Sequence, residues 1–299
     1  MTIIKPEKLK IGSRIGVIAP SGAVDEVKIF SAKKYFEEKG FEIILGKNLF
    51  KSDRFLAGSD EERLEDLHWA FEDENIDAIL CARGGYGAIR LLDKIDYELV
   101  RRNPKIFCGY SDVTALSLMF LKKAGLVSYS SPMFQSDFSG VEVSELSEKS
   151  FFKVLSGETE TYSPTTTIKS GHAEGILWGG NLATVVSLCG TDFIPDEKFI
   201  FFAEDVAEPV YKIDKMFRQL IRIEKFRRNI AGLALGEFTD ISGGEKFLAD
   251  TFRELADELN VPTFSGFKFS HAKDKQTVPI GVGAVLDKDL RLQGNFHGN

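Results

Sequence analysis

Ser111 stands within Gly109-Tyr110-Ser111-Asp112, after the apolar run Lys105-Ile106-Phe107-Cys108 and before Val113-Thr114-Ala115-Leu116-Ser117-Leu118-Met119-Phe120, a stretch of helix-forming composition. A strand, a sharp turn with serine at its apex and then a helix is the construction of a nucleophile elbow. The turn lifts Oγ out of the sheet, and the helix N-terminus stabilises negative charge growing on a bound carbonyl oxygen. The fit to Gly-x-Ser-x-Gly is partial, because Val113 stands where the second glycine belongs. The competing reading makes Ser111 a helix N-cap.

A serine nucleophile needs a base, and the chain offers four histidines. His68 lies inside a helical stretch beside Trp69 and reads as a surface residue. His172 sits in a polar segment, and His297 is two residues from the C-terminus, where order is least expected. His271 follows the strand-like Ser265-Gly266-Phe267-Lys268-Phe269-Ser270 and precedes a polar loop. A histidine displayed on a loop at a strand end suits a general base, with a plain surface histidine as the alternative. The orienting carboxylate is sought where the apolar run 199–203 ends in Glu204-Asp205. From the residues alone either acid serves, and both could instead cap the next turn or pair with Lys212.

Arg83-Gly84-Gly85-Tyr86-Gly87 closes a third apolar run. Glycines there let backbone N–H groups reach a ligand, as an oxyanion hole requires; a tight strand-to-helix turn is the alternative. Neither Gly-x-Gly-x-x-Gly nor a P-loop pattern occurs, so nucleotide cofactors gain little support. Cys81, Cys108 and Cys189 lie in apolar surroundings without Cys-x-x-Cys spacing. That argues against a disulfide framework and a thiolate zinc site, and leaves a nucleophilic cysteine as a minor alternative.

These groups need a scaffold. A chain of 299 residues favours two domains over one. A net charge of −7 speaks against nucleic acid or an anionic membrane as partner. The apolar run 15–20 is too short for a signal peptide or a membrane span, so a cytoplasmic protein is expected. In the first half, strands at 14–19, 41–45, 78–82 and 105–108 alternate with helices. The helix at 25–39 has Val27, Phe30, Tyr35 and Phe36 among its apolar positions, and another opens with the capping box Ser59-Asp60-Glu61-Glu62. This alternation predicts an α/β fold with a mostly parallel sheet and chemistry at the C-terminal ends of its strands. The polar stretch 156–171 reads as a linker between a nucleophile domain, 1–155, and a C-terminal domain, 172–299. The latter has strands at 174–177, 199–203 and 230–235, helices from Leu182, at 210–226 and at 247–259, and a strand-rich tail at 277–286.

Five motifs occur together: Arg-Gly-Gly-Tyr-Gly at 83–87, Gly-Tyr-Ser-Asp at 109–112, Trp-Gly-Gly-Asn-Leu at 178–182, Glu-Asp-Val at 204–206 with Tyr211-Lys212-Ile213-Asp214, and His271. In their order they resemble the LD-carboxypeptidase family, which includes muramoyltetrapeptide carboxypeptidases and microcin C immunity proteins, over about residues 11–292. The resemblance implies a Ser-Glu-His triad on Ser111, Glu204 and His271, and it is what selects Glu204 over Asp205. It implies oxyanion donors at the amides of Asp112 and of Gly84 or Gly85. It implies a glutamine-amidotransferase-like N-terminal domain, a smaller β-rich α/β C-terminal domain, and a homodimer. The expected activity is hydrolysis of an L,D-peptide bond, releasing terminal D-alanine from a muropeptide without metal or cofactor. Arg83 is the candidate for the substrate carboxylate, since guanidinium matches carboxylate bidentately. A microcin-type hydrolase of peptidyl-nucleotide amides would need an aromatic shelf, for which Trp178 is the candidate. A non-catalytic ligand-binding protein is the rival from another class.

Overall fold

The computed structural model describes residues 2–140 and 142–298. Its first half is built on strands β1 (Arg14–Ile18), β2 (Glu42–Leu45), β3 (Ala78–Cys81), β4 (Ile106–Cys108) and β5 (Ser128–Ser130). Every residue of β3 and β4 is buried, as expected of parallel strands covered on both faces. The covering helices are α1 (Glu26–Glu38), α2 (Asp60–Glu72), α3 (Tyr97–Arg102), α4 (Thr114–Met119), α5 (Phe134–Phe138) and α6 (Glu145–Leu155).

The capping box at Ser59 forms in full, with the Ser59 side chain accepting from the Glu62 amide and Glu62 reaching back. On α1 the buried face is Ile29, Ala32 and Phe36. Val27 and Phe30, expected among the apolar positions, are exposed, and Phe30 stacks on the equally exposed Phe50. The row 29/32/36 is one helical stripe, whereas 27 and 30 lie off it.

The second half is built on β6 (Thr161–Tyr162), β7 (Thr166–Lys169), β8 (Ala173–Asn181), β9 (Phe199–Val206), β10 (Ile230–Thr239), β11 (Thr263–Ser265), β12 (Val278–Ile280), β13 (Gly283–Leu286) and β14 (Leu290–Leu292). Its helices are α7 (Leu182–Ser187), α8 (Val210–Ile221), α9 (Glu224–Asn229) and α10 (Glu245–Leu259). One sheet runs β6-β14-β13-β8-β9-β10-β11-β7, parallel from β8 to β11 and antiparallel toward both margins. The other runs β12-β5-β4-β3-β1-β2. The stretch 156–171 therefore contributes two edge strands of the larger sheet.

Two expectations change. The single helix at 210–226 is two, because Ile223 is extended and turns the chain. That turn brings Phe226 against Trp178, Phe199 and Phe201. The tail at 277–286 divides between sheets: β12 lies antiparallel on β5 of the first sheet, and β13 pairs with β8 of the second. His297 is also packed, at a place where least order is expected. His297 is buried, stacked on Tyr129, with its Nε2 at 2.8 Å from the Val154 carbonyl oxygen.

Candidate active site

Ser111 follows β4 at the head of a single 3-10 turn, Ser111–Val113, which runs directly into α4. Its φ is +61°, a left-handed backbone that a serine adopts only under constraint, as at an elbow. The chain before it can pack tightly because residue 109 is glycine: a Cβ there would stand 2.7 Å from Val113 Cγ1.

The loop after β3 crosses the front of this turn. A Cβ on Gly84 would stand 2.8 Å from Ser111 Cβ and 3.0 Å from its Oγ. Only glycine permits that approach, and it brings the Gly84-Gly85 backbone to the serine. Asp112 joins loop and elbow, since its side chain accepts a hydrogen bond from the Ala88 amide at 2.8 Å. Burial pushes the Asp112 carboxyl above its ordinary range, against the pull of that amide. Arg63, fully buried on α2, braces the loop from behind. It donates to the Gly87 carbonyl at 2.9 Å and to the Pro20 carbonyl, and it pairs with Asp60 at 2.6 Å.

The larger sheet brings its parallel strands to the same place. β8 and β9 run side by side so that Asn181 is the register partner of Glu204. The Asn181 amide donates to Thr114 Oγ1 at 3.2 Å, docking the end of β8 on the start of α4. Glu204 is 3 % exposed, and its Oε2 lies 2.6 Å from His271 Nδ1. An ionised carboxylate only accepts, so Nδ1 carries the proton and Nε2 is left free to accept one. The Glu204 Oε1 atom has no partner among the described residues. His271 also packs edge-on against Tyr110, ring centroids 4.9 Å apart, which sets it beside the residue preceding the serine. Among the described residues no hydrogen bond joins Ser111 to the imidazole; in unliganded enzymes such contacts often tighten only with substrate.

Asp205 faces the other way. Its Oδ1 accepts from Asn181 Nδ2 and the Val206 amide, and its Oδ2 accepts from the Ala183 amide, each at 2.9 Å. It braces the start of α7, and burial raises its carboxyl above the usual range. The structure thus separates two acids that the sequence left equivalent.

Of the residues singled out in sequence, Ser111, Asp112, Gly84, Gly85, Glu204 and His271 converge. Arg83 lies at the margin. Its Nε donates to the Gly84 carbonyl at 3.2 Å and its Nη1 to the Ala23 carbonyl at 3.3 Å. Trp178 does not belong here. It is fully buried among Phe193, Phe199, Phe201 and Phe226, an apolar core position rather than an exposed aromatic shelf. His68 accepts from the Asp96 amide at 3.0 Å, and His172 is exposed beside Glu174. Cys81 and Cys108 are wholly buried, and burial pushes the Cys108 thiol up to about 12, which removes it as a thiolate nucleophile.

Chemistry rather than cavity size locates this site. A groove of about 840 Å³ lined by Leu9, Ile11, Phe41 and Phe152 contains none of the three converging side chains. Among the described residues, no group of three or more His, Cys, Asp or Glu side chains is placed to hold a metal ion.

Sequence reasoning missed Arg63, Asn181 and the pair Lys275–Asp137, which packs beneath Tyr110. Asn181 lay within a quoted motif, but its bracing of Asp205 could not be read there. Lys275 and Asp137 had no local signal, being 138 residues apart, and although Arg63 pairs locally with Asp60, the Pro20 and Gly87 carbonyls it reaches are distant in sequence.

Comparison with known proteins gives the same picture. Residues 15–131 match the profile of the LD-carboxypeptidase N-terminal domain, and residues 174–286 that of the LD-carboxypeptidase C-terminal domain. The chain is 38% identical over 293 residues to a Bacillus subtilis (strain 168) protein named "Probable murein peptide carboxypeptidase", covering 95% of this chain and 91% of that one. It superposes on the crystal structure of an MccF-like protein from Bacillus anthracis str. Ames with a TM-score of 0.87 at 30% identity, covering 96% of this chain and 98% of the other. With muramoyltetrapeptide carboxypeptidase from Oxalobacter formigenes the TM-score is 0.85 at 29% identity, covering 94% and 98%.

Proposed function

The chain belongs to the LD-carboxypeptidase family, and on that premise we propose that it hydrolyses the L,D-peptide bond of a murein-derived tetrapeptide and releases terminal D-alanine. The reading is carried by the 2.6 Å contact between Glu204 and His271 beside a serine held at φ +61°.

In this mechanism Ser111 Oγ attacks the carbonyl carbon while His271 Nε2 takes its proton. The amides of Asp112 and of Gly84 or Gly85 receive the oxyanion. The C–N bond then breaks, and Nε2 returns the proton to the departing amine of D-alanine. Water attacks the acyl-enzyme with His271 again as base, freeing the tripeptide and Ser111. Glu204 holds Nδ1–H and stabilises the imidazolium formed in each half-reaction. Protonated imidazole cannot accept the serine proton, so kcat/KM falls on the acid side. Arg83 is assigned to the substrate's terminal carboxylate: its two bonds to backbone carbonyls leave further N–H donors of the guanidinium fork.

We assign the nucleophile to residues 1–155, the acid and base to 172–299, and the connection to 156–171. A homodimer is inferred from the resemblance, with the exposed Tyr211 and Phe247 as apolar surface for contact. The cytoplasm is inferred as the site of action; among the described residues no helix is long and apolar enough to cross a membrane. Burial of Trp178 takes away the aromatic shelf considered for a peptidyl-nucleotide substrate and favours the murein peptide.

Mass spectrometry of a muropeptide mixture incubated with the protein tests the reading. Tetrapeptides alone should lose one alanine, and Ser111→Ala should lower turnover by several powers of ten (about 10⁴ or more) with the fold intact. Activity of Ser111→Ala within about tenfold of wild type would end the serine assignment. Cleavage of a peptidyl-nucleotide amide with muropeptides untouched would move the protein to the microcin-type branch.

A further inference from the structure

The segment that carries His271 is fastened to the first half of the molecule in two separate ways. The first is a row of serines on one face of α6 and at its cap. Ser144 Oγ donates to Asp274 Oδ1 at 2.6 Å, and Ser147 Oγ to the Lys273 carbonyl at 3.0 Å. Ser147 also accepts from the Lys275 amide at 2.9 Å, and Ser150 from the Thr277 amide at 3.0 Å. These bonds fix the backbone of residues 273–277 whatever the side chain at 275.

The second fastening is that side chain. Lys275 is 4 % exposed, and its ammonium forms an ion pair with Asp137 of α5. It also donates to the Tyr110 hydroxyl at 3.2 Å and lies over the Tyr110 ring, 4.6 Å from its centroid. Tyr110 in turn is the ring against which His271 packs edge-on, and it is bonded directly to Ser111. Burying an ion pair brings little net stability, because desolvation offsets most of the attraction. The pair therefore needs another account.

We propose that Lys275 is a positioning residue: held by Asp137, it fixes the Tyr110 ring, and through that ring the placement of His271 relative to Ser111. The inference rests on the triad reading given above. Glu204 fixes one edge of the imidazole, and a single hydrogen bond leaves rotation about it open. Tyr110 closes that freedom from the side, and Lys275 keeps Tyr110 from swinging away.

The test compares Lys275→Met, Lys275→Arg and Ser111→Ala with wild type in tetrapeptide turnover, fluorophosphonate labelling and thermal melting. Lys275→Met should lower kcat by about 10- to 100-fold, the scale of a misplaced catalytic group, with KM within about twofold. Labelling should slow in parallel, and the melting point should fall because the Asp137 carboxylate is left buried without its partner, so rates are compared well below the melt, where both proteins are folded. Lys275→Arg, which restores the charge and its reach, should recover most of the rate. A Lys275→Met enzyme with wild-type kcat, a loss that only tracks its unfolded fraction, or an Arg variant as slow as the Met variant would each overturn the proposal. Ser111→Ala separates the two layers. If it is inactive while Lys275→Met is unimpaired, only the role of Lys275 falls; if it still turns over substrate, the serine reading falls as well.

Discussion

Glu204 and Asp205 are neighbours on one strand, yet they face opposite sides of it, as successive residues of a strand must. One reaches His271; the other collects three donors around the start of α7. Their substitutions should separate accordingly. Glu204→Gln keeps the shape but loses the charge that stabilises imidazolium, and should cost on the order of 10⁴ in kcat with an unchanged melting point. Asp205→Asn retains one acceptor oxygen, and should cost about 1–2 kcal/mol of stability with kcat within about tenfold. Kinetics and melting of the two purified variants check this, and the reverse ranking would remove Glu204 from the mechanism. No local pattern tells which of two adjacent acids points to the site. That depends on which face of β9 meets the first half of the molecule, and only the resemblance to a family made the choice in sequence.

At the scale of elements, the motifs that were legible are those whose geometry is local. The strand-turn-helix at Ser111, the glycine loop after β3 and the capping box of α2 each rest on a few consecutive residues, and each forms. What escaped depends on distant partners: the break at Ile223 that serves the packing of Phe226, the division of the tail between two sheets, and the burial of Trp178. The glycine loop gives a sharp expectation. Gly84→Ala would set a methyl 2.8 Å from Ser111 Cβ, pushing loop or elbow aside. Loss of the aligned amide should lower kcat by about 10²-fold or more while circular dichroism stays native.

The α2 helix carries a second, thermodynamic expectation. Asp66, buried against Asn48, has its carboxyl raised from 3.8 to about 6, chiefly by desolvation. A folded-state value above the unfolded one favours the protonated native protein. The resulting stability is present in full below pH 3.8 and is lost as pH rises through about 6. Urea unfolding of wild type and Asp66→Asn should show the wild type gaining on the variant between pH 7 and pH 4, by roughly 2–3 kcal/mol at most.

Over the whole molecule, the two sheets are interlocked rather than merely adjacent. β12, from the far end of the chain, forms the edge of the sheet that carries the serine, and His297 is buried against Tyr129 and Val154 of the first half. His297→Ala should therefore cost about 1–3 kcal/mol, seen as a melting point lower by several degrees, with kcat at the assay temperature unchanged. A lost rate without lost stability would give that histidine a part in the chemistry. The placement of β12 also orders events during synthesis. A ribosome adds about 5–20 residues per second, so β5 waits on the order of ten seconds or more for its neighbour. Through that interval the sheet carrying Ser111 has an open edge at β5, while the proposed acid Glu204 emerges about midway and the proposed base His271 near its end. On the proposed triad, a chain stalled before residue 271 carries the serine without its base.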